Sequence, residues 1–328
     1  MKATAIAHSN IALVKYWGKR DEKLNLPAVG SISITLNALN STTSVEYSPG
    51  LKQDELYLNG KQIEGKERDR VQNYMDLLRK KAGIKTCAVI NSENNFPTAA
   101  GLASSASAFA SLALAGSYAA GLELDPKELS IFARIGSGSA ARSIFGGFVE
   151  MHKGLYKNGS DAFAEPIADE KYWDLRILIA ITSEQKKRTG STVGMTQSKN
   201  TSAYYKNWIA TSSKDISAMK AAVKKKDFQK LGEITELSCL KMHAMAMAAN
   251  PGLLYWNGVT VDGMHLIRSL REKGTEVYFT IDAGPQLKAI CLAKVAPDVR
   301  KELENLPGVL KVITTELGGP AHIIGEVE

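Results

Sequence analysis

Cysteine is scarce in this 328-residue chain. Cys87, Cys239 and Cys291 are odd in number, widely separated and without a C-x-x-C pair, which excludes a disulfide framework and a zinc ribbon. The histidines, His8, His152, His243, His265 and His322, share no metal-ligand spacing. No G-x-x-x-x-G-K-[ST] stretch is present, so any phosphate loop is not a Walker loop, and no G-x-S-x-G elbow announces a serine hydrolase. The first residues, MKATAIAHSNIALVKYWGK, lack a secretory pattern because His8, Ser9, Asn10 and Lys15 break the apolar run; a reducing cytoplasm is the expected location. Fixed-period repeats and low-complexity tracts are missing too. Charge is absent throughout residues 95–121, NFPTAAGLASSASAFASLALAGSYAAG. That length would cross a bilayer, but Ser104, Ser105, Ser107, Ser111 and Ser117 put a hydroxyl on nearly every turn, and Ala and Gly contribute little transfer energy. A buried helix entered through a loop shaped by Pro97 and Gly101 is expected instead, and no membrane partner.

What is present reads as a globular protein: 44% hydrophobic and 23% charged residues, in a chain long enough for two domains. The net charge is +7, from 41 Lys and Arg against 34 Asp and Glu. Lys224, Lys225 and Lys226 lie in DISAMKAAVKKKDFQKLGEITEL, whose Ile216, Met219, Val223, Phe228 and Leu231 form one helical face, so the lysines are its wet side. No basic stripe with interleaved aromatics occurs, so nucleic acid is not an expected partner, whereas an anionic small substrate suits the charge.

Residues 1–60 read as strands, with ELYLNGKQI a hairpin around Asn59 and Gly60. A helix ending near Gly83, the strand CAVINSENNF, the neutral segment, a helix capped by Asp125 and started by Pro126, and the strands GGFVEMH and LRILIAIT complete a first half. Long helices follow, one from Asp215 through Leu231 with its continuation, then the strand EVYFTID, a helical PQLKAICLAKVAPDVRKELENL, and the strands VLKVITTEL and AHIIGEV. An α+β architecture is expected, with domains at 1–182 and 183–328 and the second domain's helices on one side of an antiparallel sheet.

Four stretches carry chemical possibilities. PTAAGLASSAS, a Gly-bearing loop running into a helix, is either an anion site built from helix-terminal N–H groups and the Ser104 and Ser105 hydroxyls, or a small-residue helix packed closely on a sheet. GSGSAARSIFGG imitates G-x-G-x-x-A, but a helical segment precedes it where a dinucleotide fingerprint needs a strand; Ser137, Ser139 and Arg142 are better read as projecting toward a ligand. In EVYFTIDAGP, alternation puts Tyr278, Thr280 and Asp282 on one face, leaving Asp282 either a general base or the start of a turn. NIALVKYWGKRD gathers Lys15, Tyr16, Trp17, Lys19 and Arg20 as a phosphate clasp or as an ordinary strand end.

In this order, NIALVKYWGK, PTAAGLASSAS, GSGSAARS, TGSTVGM and FTIDAGP closely resemble the mevalonate diphosphate decarboxylases of the GHMP kinase superfamily, over residues 6 to 285. The resemblance implies the GHMP kinase-like two-domain fold, with a cleft between the domains, and ATP-dependent decarboxylation of mevalonate diphosphate to isopentenyl diphosphate. It implies ATP and Mg²⁺ as cofactors and a homodimer. It assigns Asp282, Arg142, Ser105 and Lys15 to catalysis; Tyr16, Trp17, Lys19, Ser137, Ser139, Arg142, Lys187 and Arg188 to substrate; and Pro97, Ala100, Gly101, Leu102, Ala103, Ser104 and Ser105 to ATP. No metal ligand is implied by name. Gln286 stands where many members carry Asn. Related enzymes that use mevalonate 5-phosphate, and a non-catalytic nucleotide-binding protein, are the alternatives.

Overall fold

The computed structural model describes residues 1–96, 102, 104–185 and 187–325. The first part runs β1 (Lys2–Val14), β2 (Lys19–Asp21), β3 (Leu26–Pro27), β4 (Ser31–Tyr47), β5 (Glu55–Leu58), β6 (Lys61–Ile63), α1 (Lys66–Ala82), β7 (Ala88–Asn94), α2 (Ser104–Ala119), α3 (Pro126–Gly136), β8 (Phe148–Met151) and β9 (Ala164–Ala168). The second runs β10 (Leu175–Ile181), α4 (Ser191–Thr201), α5 (Tyr205–Lys225), α6 (Phe228–Met247), α7 (Gly258–Glu272), β11 (Val277–Ile281), β12 (Leu287–Leu292), α8 (Ala296–Glu304), β13 (Lys311–Thr315) and β14 (His322–Ile323). This is the expected α+β class.

Local signals act where the sequence places them. Asn59 and Gly60, both at positive φ, turn β5 into β6, and Gly83 ends α1 in the left-handed region. Asp125 accepts from the Glu128 N–H in a full capping box ahead of Pro126. Residues 104–119 of the neutral stretch become α2, buried on most sides. Its hydroxyls meet those of β4: Ser107 with Ser41 at 2.7 Å and Ser111 with Thr43 at 2.7 Å. Among the described residues no helix is long and apolar enough to cross a membrane.

The large sheet runs β14-β1-β4-β7-β5-β6, with β8 and β9 continuing from the first part of β4. A register shift at His8/Ser9 exchanges the faces of β1. Before it, Ala3, Ala5 and Ala7 join the core under α1, α2 and α3; beyond it, Ile11 and Leu13 join a core shared with α5, α6 and the second sheet. Asn10 thereby turns toward the Gly138–Ile144 segment, where it meets Ser139 and Ser143.

The second sheet, β11-β12-β10-β13, is antiparallel throughout, and five sequence readings change. β10, read as closing the first half, lies inside this sheet, while the last strand, β14, returns to the first sheet beside β1. Residues 287–292, read as helical, form β12, because pairing with β11 and β10 on both sides outweighs local propensity. Helices cover both faces rather than one: Leu178 and Ala180 pack under α7 and α8, and Ile177 and Ile179 toward α5 and α6. The helix expected to run through Leu231 divides at Lys226, which takes a left-handed conformation before Asp227 caps α6. Met219, Val223, Phe228 and Leu231 are buried as expected, and the three lysines are exposed.

Candidate active site

Strand pairing aims the first charged groups. Tyr278, Ile290 and Ile177 line up across β11, β12 and β10, followed by Thr280, Lys288 and Ile179 on the same face. One step further, past the end of β11, stands Asp282. Lys288 Nζ lies 3.7 Å from Asp282 Oδ2, and Lys15, delivered by the end of β1, donates to Asp282 Oδ1 at 2.6 Å. The Lys15 side chain is 1% exposed and that of Asp282 24%. Burial alone would raise the Asp282 pKa, but Lys15, Lys288 and Arg142 outweigh it and hold the carboxyl at about 2.

Arg142 comes from the Gly138–Ile144 turn, donating from Nη1 to Ser31 Oγ at 2.6 Å and from Nη2 to Asn10 Oδ1 at 3.0 Å. Its Nε is buried without a partner. Burial lowers the guanidinium pKa to about 10 despite the opposing charge of Asp282. Three buried cations thus surround one carboxylate, and the pocket carries surplus positive charge in a low-dielectric setting. Such a surplus is relieved by an anionic ligand.

A second cationic group forms at the start of α4. Lys187 Nζ donates to Ser191 Oγ at 2.9 Å and to the Ala283 carbonyl at 3.2 Å, while Lys19 Nζ donates to Thr192 Oγ1 at 3.2 Å. Both pKa values are lowered chiefly by burial; Asp282 opposes this for Lys187, and Arg70 adds to it for Lys19. Two lysines therefore converge on a helix end whose free N–H groups already favour anions. Gln286, fully buried, accepts from the Thr182 N–H at 2.7 Å and donates to the Ser183 carbonyl at 2.6 Å, tying the segment that carries Lys187 to the Asp282 turn.

Ser105, exposed in the first turn of α2, lies with its Oγ 3.2 Å from Ser137 Oγ, joining the α2 start to the Gly138–Ile144 segment. Tyr16 packs its ring and hydroxyl against Gly138, where any Cβ would overlap the phenol. Its hydroxyl is buried without a partner, and burial raises its pKa. Ser139 offers its carbonyl to Asn10 Nδ2 at 3.1 Å.

Not every expected residue converges. Trp17 is core: its indole N–H donates to Ser198 Oγ at 3.1 Å, its carbonyl accepts from Trp208, and its ring meets Tyr255, so its one polar side-chain atom is already engaged. The Leu102 side chain is likewise buried and its carbonyl accepts from Ser9 Oγ. Arg188 is exposed beside half-buried Lys187. Ser104 begins α2, whereas Pro97, Ala100, Gly101 and Ala103 lie outside the described residues. Lys288, Asn10, Ser31, Ser191 and Thr192 were missed. A lysine among apolar residues in QLKAICL and an asparagine inside an apolar strand were the available signals. Among the histidines, His152 does meet carboxylates, since pairing of β8 with β9 sets Glu150 opposite Glu165; Lys220 supplies a counter-charge 2.5 Å from Glu150.

Comparison with known proteins gives the family. Residues 7–164 match the diphosphomevalonate decarboxylase-like N-terminal domain, and residues 177–316 the mevalonate 5-diphosphate decarboxylase C-terminal domain. The diphosphomevalonate decarboxylase of Candida albicans is 40% identical over 298 residues, covering 86% of this chain and 82% of its own. The crystal structure of mevalonate diphosphate decarboxylase from Staphylococcus aureus is 40% identical, with a TM-score of 0.94 over 99% of this chain and 98% of that one. A further structure, MDDEF in complex with MVAPP, AMPPCP and magnesium, is 38% identical, with a TM-score of 0.92 over 99% of each chain. With both halves matched by family models and both sheets superposed on solved relatives, the chain belongs to the mevalonate 5-diphosphate decarboxylase family.

Proposed function

We propose that the chain decarboxylates mevalonate 5-diphosphate at the expense of ATP, giving isopentenyl diphosphate, ADP, phosphate and carbon dioxide. The observation that carries this reading is the single carboxylate of Asp282 held ionised among Lys15, Lys288 and Arg142, beside two lysines at the α4 start. Arg142, with Nε still unpartnered, receives the substrate carboxylate, and Lys19 and Lys187 receive the diphosphate. Tyr16, Ser137 and Ser139 line the substrate between them.

The tertiary hydroxyl oxygen attacks the terminal phosphoryl group of ATP, and its proton passes to Asp282. Phosphate then leaves from the new ester with the C–O electron pair, the bond to the carboxylate breaks, and that electron pair forms the double bond as carbon dioxide departs. A carboxyl held at about 2 is a weak base, and phosphoryl transfer demands little base strength. Asp282 therefore acts mainly by orienting the hydroxyl and by facing the carbon where positive charge develops. Ser104 and Ser105, at the α2 N-terminus, attend the transferring phosphoryl group. MDDEF binds MVAPP, AMPPCP and magnesium, which supports ATP and Mg²⁺ here. Mg²⁺ usually keeps several waters and takes few protein oxygens beside phosphates, and the exposed Ser105 hydroxyl fits that donor role; the ion supplies charge neutralisation.

The domain boundary belongs between β9 and β10, with β14 returning to the first domain, and the chain works as a cytoplasmic homodimer. Kinetics with mevalonate 5-phosphate and 5-diphosphate test the substrate. Each charge-assisted contact contributes about 1.5–3 kcal/mol, so the diphosphate is expected to lead by at least about tenfold in kcat/KM. Equal efficiency would reassign the site to the monophosphate.

A further inference from the structure

β11 is the outer strand of its sheet, and an outer strand leaves backbone N–H and C=O groups without a strand partner. In β11 side chains take up several of those groups. Arg271 Nη1 donates to the Val277 carbonyl at 3.0 Å, the Phe279 N–H donates to Glu236 Oε1 at 3.1 Å, and the Ile281 N–H donates to Cys239 Sγ at 3.2 Å. The Ile281 carbonyl accepts from His243 Nε2 at 3.2 Å and, at a longer 3.5 Å, from Cys239 Sγ; because a carbonyl only accepts, the His243 nitrogen carries the proton. Burial lowers the His243 pKa to about 3, so the ring stays neutral, wedged 4.7 Å from Trp256.

Glu236, Cys239 and His243 stand at i, i+3 and i+7 on α6 and so share one face. Beside them, Ser238 Oγ accepts from the Lys15 backbone N–H at 2.9 Å. One helix therefore holds the backbone at both ends of the Lys15–Asp282 ion pair. Asp282 directly follows the clamped Ile281, and its own carbonyl accepts from the Gly284 N–H at 2.8 Å, so the chain is tied on either side of the carboxylate.

We propose that α6 stands in for a missing neighbouring strand and sets the spacing of Lys15 and Asp282, through Ser238 on one side and Cys239 with His243 on the other, which makes His243 a positioning residue. This rests on the reaction proposed above, where a misplacement of about 1 Å costs on the order of 10²-fold in rate.

The test compares purified His243→Leu, His243→Gln and Ser238→Ala with the parent in steady-state turnover of mevalonate 5-diphosphate and ATP. His243→Leu removes the shorter of the two hydrogen bonds to the Ile281 carbonyl, leaving only the long, weak thiol contact, and is expected to lower kcat at least about tenfold, with KM for mevalonate 5-diphosphate moving less than about threefold, because the cations that bind the substrate remain. His243→Gln keeps an N–H donor and is expected to recover most of the lost rate. If the Leu variant does not fold, Ser238→Ala keeps the idea exposed: losing one acceptor is expected to lower kcat about three- to tenfold at unchanged KM. A folded Leu variant with parental kcat, a Gln variant no better than Leu, or a parental kcat in Ser238→Ala would overturn the positioning role. A parent inactive on mevalonate 5-diphosphate would instead overturn the proposed reaction.

Discussion

Asp282→Asn exchanges a carboxylate for a neutral group of the same shape in the midst of Lys15, Lys288 and Arg142. The parental carboxyl sits at about 2 against an ordinary 3.8, and at 1.36 kcal/mol per pKa unit this corresponds to about 2 kcal/mol of stability at neutral pH. Because the folded pKa is the lower one, that stability is fully present above pH 3.8 and is lost as pH falls through about 2. Roughly half remains at pH 3. Urea unfolding should therefore show Asp282→Asn less stable by about 2 kcal/mol at pH 7, with the gap narrowing as acid is added. In the proposed reaction the variant forfeits the charge that faces the reacting carbon, and kcat is expected to fall roughly 10²- to 10³-fold. KM for mevalonate 5-diphosphate should stay level or drop, since removing a negative charge leaves more cationic field for a polyanion. ADP release under steady state reads both constants. Turnover within tenfold of the parent, or a raised KM at parental kcat, would refute the role given to Asp282.

Three further outcomes are expected. Ser105→Ala should lower kcat more than it changes KM for mevalonate 5-diphosphate if, as proposed, its hydroxyl at the α2 start serves the moving phosphoryl group; a change in KM alone would make it a ground-state contact. Lys288→Met, which keeps length and removes charge beside Asp282, should raise the Asp282 pKa, seen as an acid limb of kcat shifted to higher pH, while an unmoved limb would place Lys288 outside the electrostatics of the site. Gly138→Ala should displace the Tyr16 phenol and raise KM for mevalonate 5-diphosphate severalfold, and unchanged kinetics would show that Tyr16 can swing away without cost.

The elements that could be read from residues alone are those fixed by near neighbours. Asn59 and Gly60 set a turn, Asp125 and Gly83 set helix ends, and the spacing from Met219 to Leu231 sets a buried face, because each depends on groups within a few positions. The order of the phosphate and carboxylate stretches was legible for the same reason, each being a short local pattern. Sheet membership was not. β10 and β14 exchanged halves, and Lys288 stayed hidden in a segment read as helix, because strand partners are chosen by pairing far along the chain. That Ser198 meets the Trp17 indole N–H was likewise decided only by folding. The surplus charge at Asp282 had the same origin. Lys15 and Asp282 stand 267 residues apart, and the packing of β1 and β11 against α6 places them 2.6 Å from each other, where Coulomb attraction to buried cations outweighs the opposing effect of burial and makes an ordinary aspartate a strongly acidic one.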